Sequence, residues 1–420
     1  PFGGRPAGRR SVVWPVSPMS MVLPLLWVAA AAAAATAPLA ARAQTPVTSE
    51  NGGCRAAAPT LAATAVTDVA ANCGAAANTL CTVTCATFTQ LTSSTDAATL
   101  AAITSPACVE VLAGETVVGK LRLRGTGADC VIVRANGAFV GNIDLDGGDD
   151  VLELAAGATV RGDVDMGAGA DCVFANNRGT VYGEVEMADG DDAVYLDEGA
   201  VVHGDVEGGA GADVVVVGDT GGVGAAVAED VELGDGDDSC VMQSGTMARS
   251  VKGGDGADQV VLLGALVRRV ELNDGNDRLE VARDTVYAAT TAAATGTPTR
   301  AAVIDARTGD GTDCVGVNGG QGSTATVSRF TTSDGADDVV LFGGAAVGAR
   351  NVQLGDGSDS LSMFSGALIN SRLSLGDDAD AFYVAESVNN VVVNGDVNAG
   401  AETNAVQIDD TSAAEFVLIN

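Results

Sequence analysis

Histidine occurs once in these 420 residues, and tryptophan twice. Both tryptophans, Trp14 and Trp27, lie in the first 43 residues, and the only lysines are Lys120 and Lys252. One histidine excludes a metal centre built on imidazoles. Aromatic residues are only 4% of the chain, too few to line a binding cleft with stacking platforms. No nucleophile–base motif and no isolated carboxylate pair stands apart from its surroundings, so no catalytic centre is legible. After Ala40 no stretch is long and apolar enough to cross a bilayer.

What is abundant is acid. Asp and Glu number 55 against 22 Lys and Arg, a formal charge of −33. Such a chain repels nucleic acid and anionic membranes, and its natural partners are cations or basic surfaces. Hydrophobic residues reach 47%, mostly Ala and Val, and Gly numbers 55. That mixture suits many short strands joined by tight corners, not a disordered acidic tail.

The amino terminus reads as a targeting segment. Arg5, Arg9 and Arg10 precede the apolar run Met21–Ala40, and Ala41-Arg42-Ala43 forms a small-x-small site. This is the layout of a secretory signal peptide, 1–43, cleaved after Ala43. Pro24, Pro38 and the weakly apolar alanine run argue against an uncleaved anchor helix. Residues 44–118 form a second zone, poor in acid and holding Cys54, Cys73, Cys81, Cys85 and Cys108. In an exported chain these read as a small disulfide-stapled module that caps the repeats beyond residue 118. Five is an odd number, so one cysteine is free or pairs outside the module.

From 119 to 420 the chain repeats. DVELGDGDDSCV, from Asp230 to Val241, shows the unit: a Gly-Asp-Gly-x-Asp corner, then apolar residues at every second position. The last aspartate of each corner recurs at Asp129, Asp150, Asp171, Asp192, Asp213, Asp238, Asp258, Asp277, Asp313, Asp337, Asp359 and Asp380. The first five are 21 residues apart, insertions interrupt near 218–226 and 285–299, and a degenerate copy lies near Asn404. We call these the corner aspartates.

Two and four residues after each stand apolar side chains, from Val131 and Val133 to Phe382 and Val384. Period two marks a strand with one buried face. A second strand follows a Gly-Ala turn, as in GATVRGDVDM at Gly157–Met166. One coil cannot bury its own apolar side, but stacked coils can. The expected fold is all-β: a parallel β-helix, or β-solenoid, of about 12–13 coils rising ~4.8 Å each. The general crossover preference predicts right-handed winding.

Stacking in register puts the corner aspartates in a column. A second column, the leading aspartates, comes three residues earlier in eight corners. Carboxylates ~4.8 Å apart repel by roughly 1 kcal/mol even in water, so a ladder of them calls for compensation. Calcium fits best: it takes many oxygen ligands in irregular geometry, whereas zinc and copper want imidazole or thiolate. The candidate metal ligands are Asp189 with Asp192, Asp235 with Asp238, Asp255 with Asp258, and Asp274 with Asp277. They continue as Asp310 with Asp313, Asp334 with Asp337, Asp356 with Asp359, and Asp377 with Asp380. Positions 126, 147, 168 and 210 lack the leading acid, and those corners should bind weakly or not at all.

This region resembles the haemolysin-type, or repeats-in-toxin, calcium-binding repeat. Gly208-Gly209-Ala210-Gly211-Ala212-Asp213 and the stretch Gly253 to Asp258 carry the likeness, with Thr126–Asp129 and Gly234–Asp238 looser matches. The longer frame is also similar to passenger repeats of autotransporter adhesins. The resemblance implies calcium between coils and a structural or adhesive role. The toxin motif returns every nine residues, whereas here it returns once per coil and the opposite Gly-Ala corner has no acid. At most one ion column is therefore implied.

Three lesser features remain. His203 is expected at the surface, and Cys240 in the core. Cys130, Cys172 and Cys314 fall at outward positions, with Cys130 and Cys172 too far apart to pair. That leaves them free, or pairs Cys130 with the odd cysteine of the cap. The functional expectation is a secreted or cell-surface, calcium-stabilised solenoid with a structural or adhesive role. Its partners would be calcium and extracellular glycans or another protein surface, with no nucleic acid and no membrane span after signal cleavage. The alternative is a β-helical carbohydrate-active enzyme, a polysaccharide lyase or hydrolase. It would need one carboxylate pair set apart from the column.

Overall fold

A computed structural model describes residues 83, 85 and 87–409, except 219–223, 244, 283–301, 320–325, 343–344, 348–350, 365, 386–390 and 401–403. The expected signal peptide, Cys54, Cys73, Cys81 and the insertion at 285–299 lie outside the described residues.

The chain winds as a parallel β-solenoid of about 13 turns. Each turn gives one strand to a first sheet of fifteen strands, stacked in chain order from Thr89–Leu91 to Ala405–Asp409. Pairing is parallel and in register, with Val131 beside Leu152 and Leu152 beside Val173. The rest of each turn builds a second wall. In early coils it comprises two short strands, such as Ala138–Val140 and Ile143–Asp144. These fuse into single nine-residue strands at Met247–Asp255 and Leu266–Asp274, then separate again at Ala346–Val347 and Val352–Gln353. One short helix, Ala97–Ala101, is capped by Asp96, whose carboxylate accepts from the Thr99 amide at 2.8 Å. It packs on the strand Leu121–Arg122.

The core lies between the walls and runs unbroken through the coils. The positions two and four residues after each corner aspartate are all buried, as the period-two pattern predicts. Phe139, Phe330 and Phe382 are among the largest side chains buried within it. The outward positions of the first sheet differ from expectation. Their mixed composition predicts a solvated face, yet Cys130, Ile132, Val151, Glu153, Cys172 and Phe174 are all at most 3% exposed. This sheet is covered on both sides along much of its length.

Candidate functional site

The corners join the second wall to the first sheet. In eleven of the twelve corners a glycine stands two residues before the corner aspartate and makes the bend possible; before Asp380 the place is taken by Asp378, at φ +82°. At Gly256, φ is +141°, and an added Cβ would lie 1.8 Å from the Gly236 carbonyl oxygen of the preceding coil. Only glycine accepts both the backbone angle and that approach. The Gly256 amide donates to the carbonyl of Asp274 on the next coil at 3.0 Å, and the same bond recurs from Gly236 to Asp255 and from Gly311 to Asp334.

The corner aspartates point inward. All twelve are at most 2% exposed. The amide of each donates to Oδ1 of its counterpart one coil on: Asp129 to Asp150 at 2.7 Å, Asp213 to Asp238 at 2.7 Å, Asp337 to Asp359 at 2.9 Å. The ladder begins at the Ala107 amide, which donates to Asp129, and closes where Asp380 donates to Oδ1 of Asn404 at 2.7 Å. The degenerate last copy thus replaces the carboxylate with a neutral amide that keeps the same acceptor.

Each corner aspartate has a second oxygen, Oδ2, that is buried and without a hydrogen-bond partner. Burial raises the pKa of every one, to about 7 at Asp150, Asp192, Asp213, Asp258 and Asp359, and to about 8 at Asp171 and Asp277. Asp238 and Asp313 rise to about 6, where burial is opposed by the amide donated to each carboxylate. Burial also pushes Asp129, Asp337 and Asp380 upward. Burial of a carboxyl oxygen without a protein hydrogen-bond partner favours the neutral acid.

The leading aspartates stand on the other side of the corner. Asp189, Asp235, Asp255, Asp274, Asp310, Asp334, Asp356 and Asp377 are all exposed. From Asp235 to Asp377 they occupy seven consecutive coils, with Asp235 beside Asp255 and Asp255 beside Asp274 in register. They are close enough to the ladder to raise the pKa of their own corner partners, as Asp235 does for Asp238 and Asp377 for Asp380, in each case less than burial does. The members of each sequence-expected ligand pair are therefore neighbours, one facing inward and one outward. Among the described residues, no three carboxylate, imidazole or thiolate side chains converge as a metal cage.

A third feature escaped the sequence reading. One residue before the corner aspartate, acid and alanine alternate coil by coil: Ala128, Asp149, Ala170, Asp191, Ala212, Asp237, Ala257. Each of these acids accepts from the alanine amide above it, at 3.1 Å for Asp149, 3.0 Å for Asp191 and 2.9 Å for Asp237. Alternation doubles the spacing of this column to ~9.6 Å, about a Debye length at physiological salt.

Basic residues are used elsewhere. Among the described residues, the ion pairs run to acids such as Asp144, Asp230 and Asp305, none of them in the corner columns. Asp230 is held down to about 2, first by its bond from Arg249 and also by Lys252. His203 is exposed, as expected, and stacks on Tyr182 with ring centroids 4.9 Å apart. Cys240 is a free, buried thiol pushed up to about 12 by burial. Cys85 bonds to Cys108. Cys130, Cys172 and Cys314 are disulfide-bonded, so of the two alternatives the sequence left open for them, free thiols is the one set aside.

The chain matches no protein family, no curated protein and no solved structure.

Proposed function

We propose that this chain is an exported structural or adhesive β-solenoid, a stiff spacer whose outer acidic rank takes calcium as its counter-ion. The carrying observation is the rank from Asp235 to Asp377, where seven coils in succession expose a carboxylate at the same corner. Neighbours ~4.8 Å apart repel by about 1 kcal/mol per step in water. A divalent ion bound by oxygen ligands relieves two steps at once. The corner aspartates do not serve the ion in this reading, because Oδ1 accepts from an amide and the side chain is buried on the inner side of the corner. They hold the corners shut, and calcium takes its oxygens from the leading aspartates and water. The likeness to haemolysin-type repeats supports the choice of ion, and the amino-terminal segment supports export.

Thermal melting of the exported chain tests this at fixed ionic strength, with calcium, with magnesium and with a chelator. Calcium should raise the midpoint by several degrees more than magnesium does. Equal midpoints in calcium and chelator would dispose of the proposal.

A further inference from the structure

Among the described residues, six large apolar side chains are exposed: Val118, Tyr182, Met247, Leu266, Ile304 and Val392. All six stand on one flank of the second wall. Met247 pairs in register with Ala226 on the preceding coil and with Leu266 on the next. Followed both ways, that column runs through thirteen coils, from Thr116 to Val392. Its members are Ala, Thr, Val, Leu and Met only. Two residues further along each coil come Val118, Tyr182 and Ile304, and that position holds no acid either, from Val118 to Asn394. A chain with 55 acids and a charge of −33 thus keeps one lengthwise stripe free of acid. Single apolar residues scattered over a surface are ordinary, whereas six gathered on one stripe mark an interaction face.

The stripe lies away from the outer acidic rank. Met247 and Asp255 are the two ends of one strand, up to ~26 Å apart. That is about three Debye lengths at physiological salt. Two copies meeting elsewhere would bring acid against acid, and meeting along the stripe they do not. Tyr182 is already set for contact. The His203 ring stacks on it at 4.9 Å, and the Arg161 guanidinium lies 5.6 Å from its centre. A side chain held in place before binding loses little freedom on binding.

We propose that the stripe docks a second copy of this chain, face to face and antiparallel. The twofold axis crosses it between the coils of Ala226 and Met247. Met247 then faces Ala226 of the second copy, Leu266 faces Val201, and Ile304 faces Tyr182. At the centre each large side chain meets a smaller one, as close packing needs. Arg249 falls opposite Ala228 and Arg268 opposite His203, so no arginine faces an arginine. A parallel pair would instead set Arg249 and Arg268 of both copies at the same levels. One patch serves both copies, as an isologous interface requires. Twelve overlapping coils, ~55 Å, and a width of ~13 Å cover on the order of 700 Å² per partner. Stable specific interfaces bury about 800 Å² a side, so the stripe is large enough. The pairing stands whether or not the outer rank takes calcium, because that rank stays clear of the contact.

Sedimentation of the exported chain over a range of concentrations tests this. The parent should form a dimer that tightens as salt rises, because salt screens the net charge and leaves the apolar contact intact. Met247→Asp combined with Leu266→Asp should weaken association by about 100-fold or more, with the circular dichroism unchanged, since both positions are exposed in the single chain. Gln353→Asp, at an exposed position of the same wall but off the stripe, should leave the dimer as it is. A photo-reactive benzophenone residue in place of Tyr182 should attach to the peptide around Ile304. Within one chain those two positions are five coils, ~24 Å, apart, so the link reports the second copy. A parent that stays monomeric up to roughly 100 µM would overturn the proposal. So would a dimer that survives the double substitution, or one cross-linked from position 182 only to its own coil. A monomer whose stripe binds neutral lipid vesicles would also overturn it, giving that surface to a membrane.

Discussion

The backbone amide of Asp258 donates to Oδ1 of Asp277 at 2.9 Å, across one coil and 19 residues of sequence. On the first sheet, the residue after each corner aspartate donates to the corner carbonyl of the preceding coil, as Arg278 does to Asp258 at 2.8 Å. The corner aspartate's own amide points to the following coil, and the next carboxylate supplies its acceptor. The side chain completes the ladder where the bend takes the backbone away. A buried amide without a partner would cost about 1–3 kcal/mol.

Substitution at Asp258 separates the acceptor from the charge. Asp258→Ala should lose about 1–3 kcal/mol, because the Asp238 amide is left buried and unpaired. Asp258→Asn should cost much less, because an amide oxygen can accept the same bond, as Asn404 does from Asp380. Urea unfolding at pH 6 measures both. Equal losses for the two variants would show that the carboxylate, not the acceptor, matters at the corner.

The ladder also sets an unusual pH dependence. The folded-state pKa values of the corner aspartates stand well above the ordinary aspartate value of 3.8, at about 6 to 8 for most of them. The folded state therefore binds more protons than the unfolded state between those limits, so unfolding free energy falls as pH rises. The contribution is fully present below pH ~4 and is lost on passing through about 6–8. Asp230, held at about 2, acts in the opposite sense but only at much lower pH. Melting in a chelator should show a midpoint that declines from pH 5 to pH 8. Asp171→Asn and Asp277→Asn should flatten that slope. A midpoint that rises over this range would contradict a neutral ladder.

Gly256→Ala tests the bend itself. The new methyl would lie 1.8 Å from the Gly236 carbonyl oxygen, at a φ of +141°. Backbone strain and overpacking each cost about 1–3 kcal/mol, and the neighbour here is backbone that cannot swing aside. The variant should unfold at lower denaturant than the parent, with the loss centred on the coils flanking Gly256 in amide exchange. A midpoint within error of the parent would mean that the corner opens more easily than its packing implies.

The inward faces of the strands were legible because burial imposes period two, and Val131, Leu152 and Phe382 obey it. The direction of the corner aspartates was not. An acid beside glycines fits a solvated turn as well as a buried one. A signal was nonetheless present in the repeats. The corner position is Asp in all twelve copies and Asn in the degenerate one, whereas three residues earlier Thr126, Gly147, Ala168 and Ala210 also occur. Exposed positions drift among copies, and a position with a buried bond to make does not. The covered outer face had its own trace in the runs CVIV, CVFA and QVVLL, where apolar residues do not alternate. Unbroken apolar strands are what a sheet buried on both faces requires.

Asp274 and Asp310 stand in consecutive coils of the outer rank, both exposed, inside the run of seven. Replacing both by asparagine removes repulsion at about three steps, each worth roughly 1 kcal/mol in water at low ionic strength. The double variant should therefore be more stable than the parent in chelator at low salt. It should gain less from added calcium, because the ion has lost two of its oxygen charges. Salt should shrink the first effect, since exposed charges are screened over about a Debye length. Thermal midpoints of parent and variant, with and without calcium at two ionic strengths, separate these effects. If the parent's calcium response survived the double substitution undiminished, the ion would have to be held somewhere other than this rank.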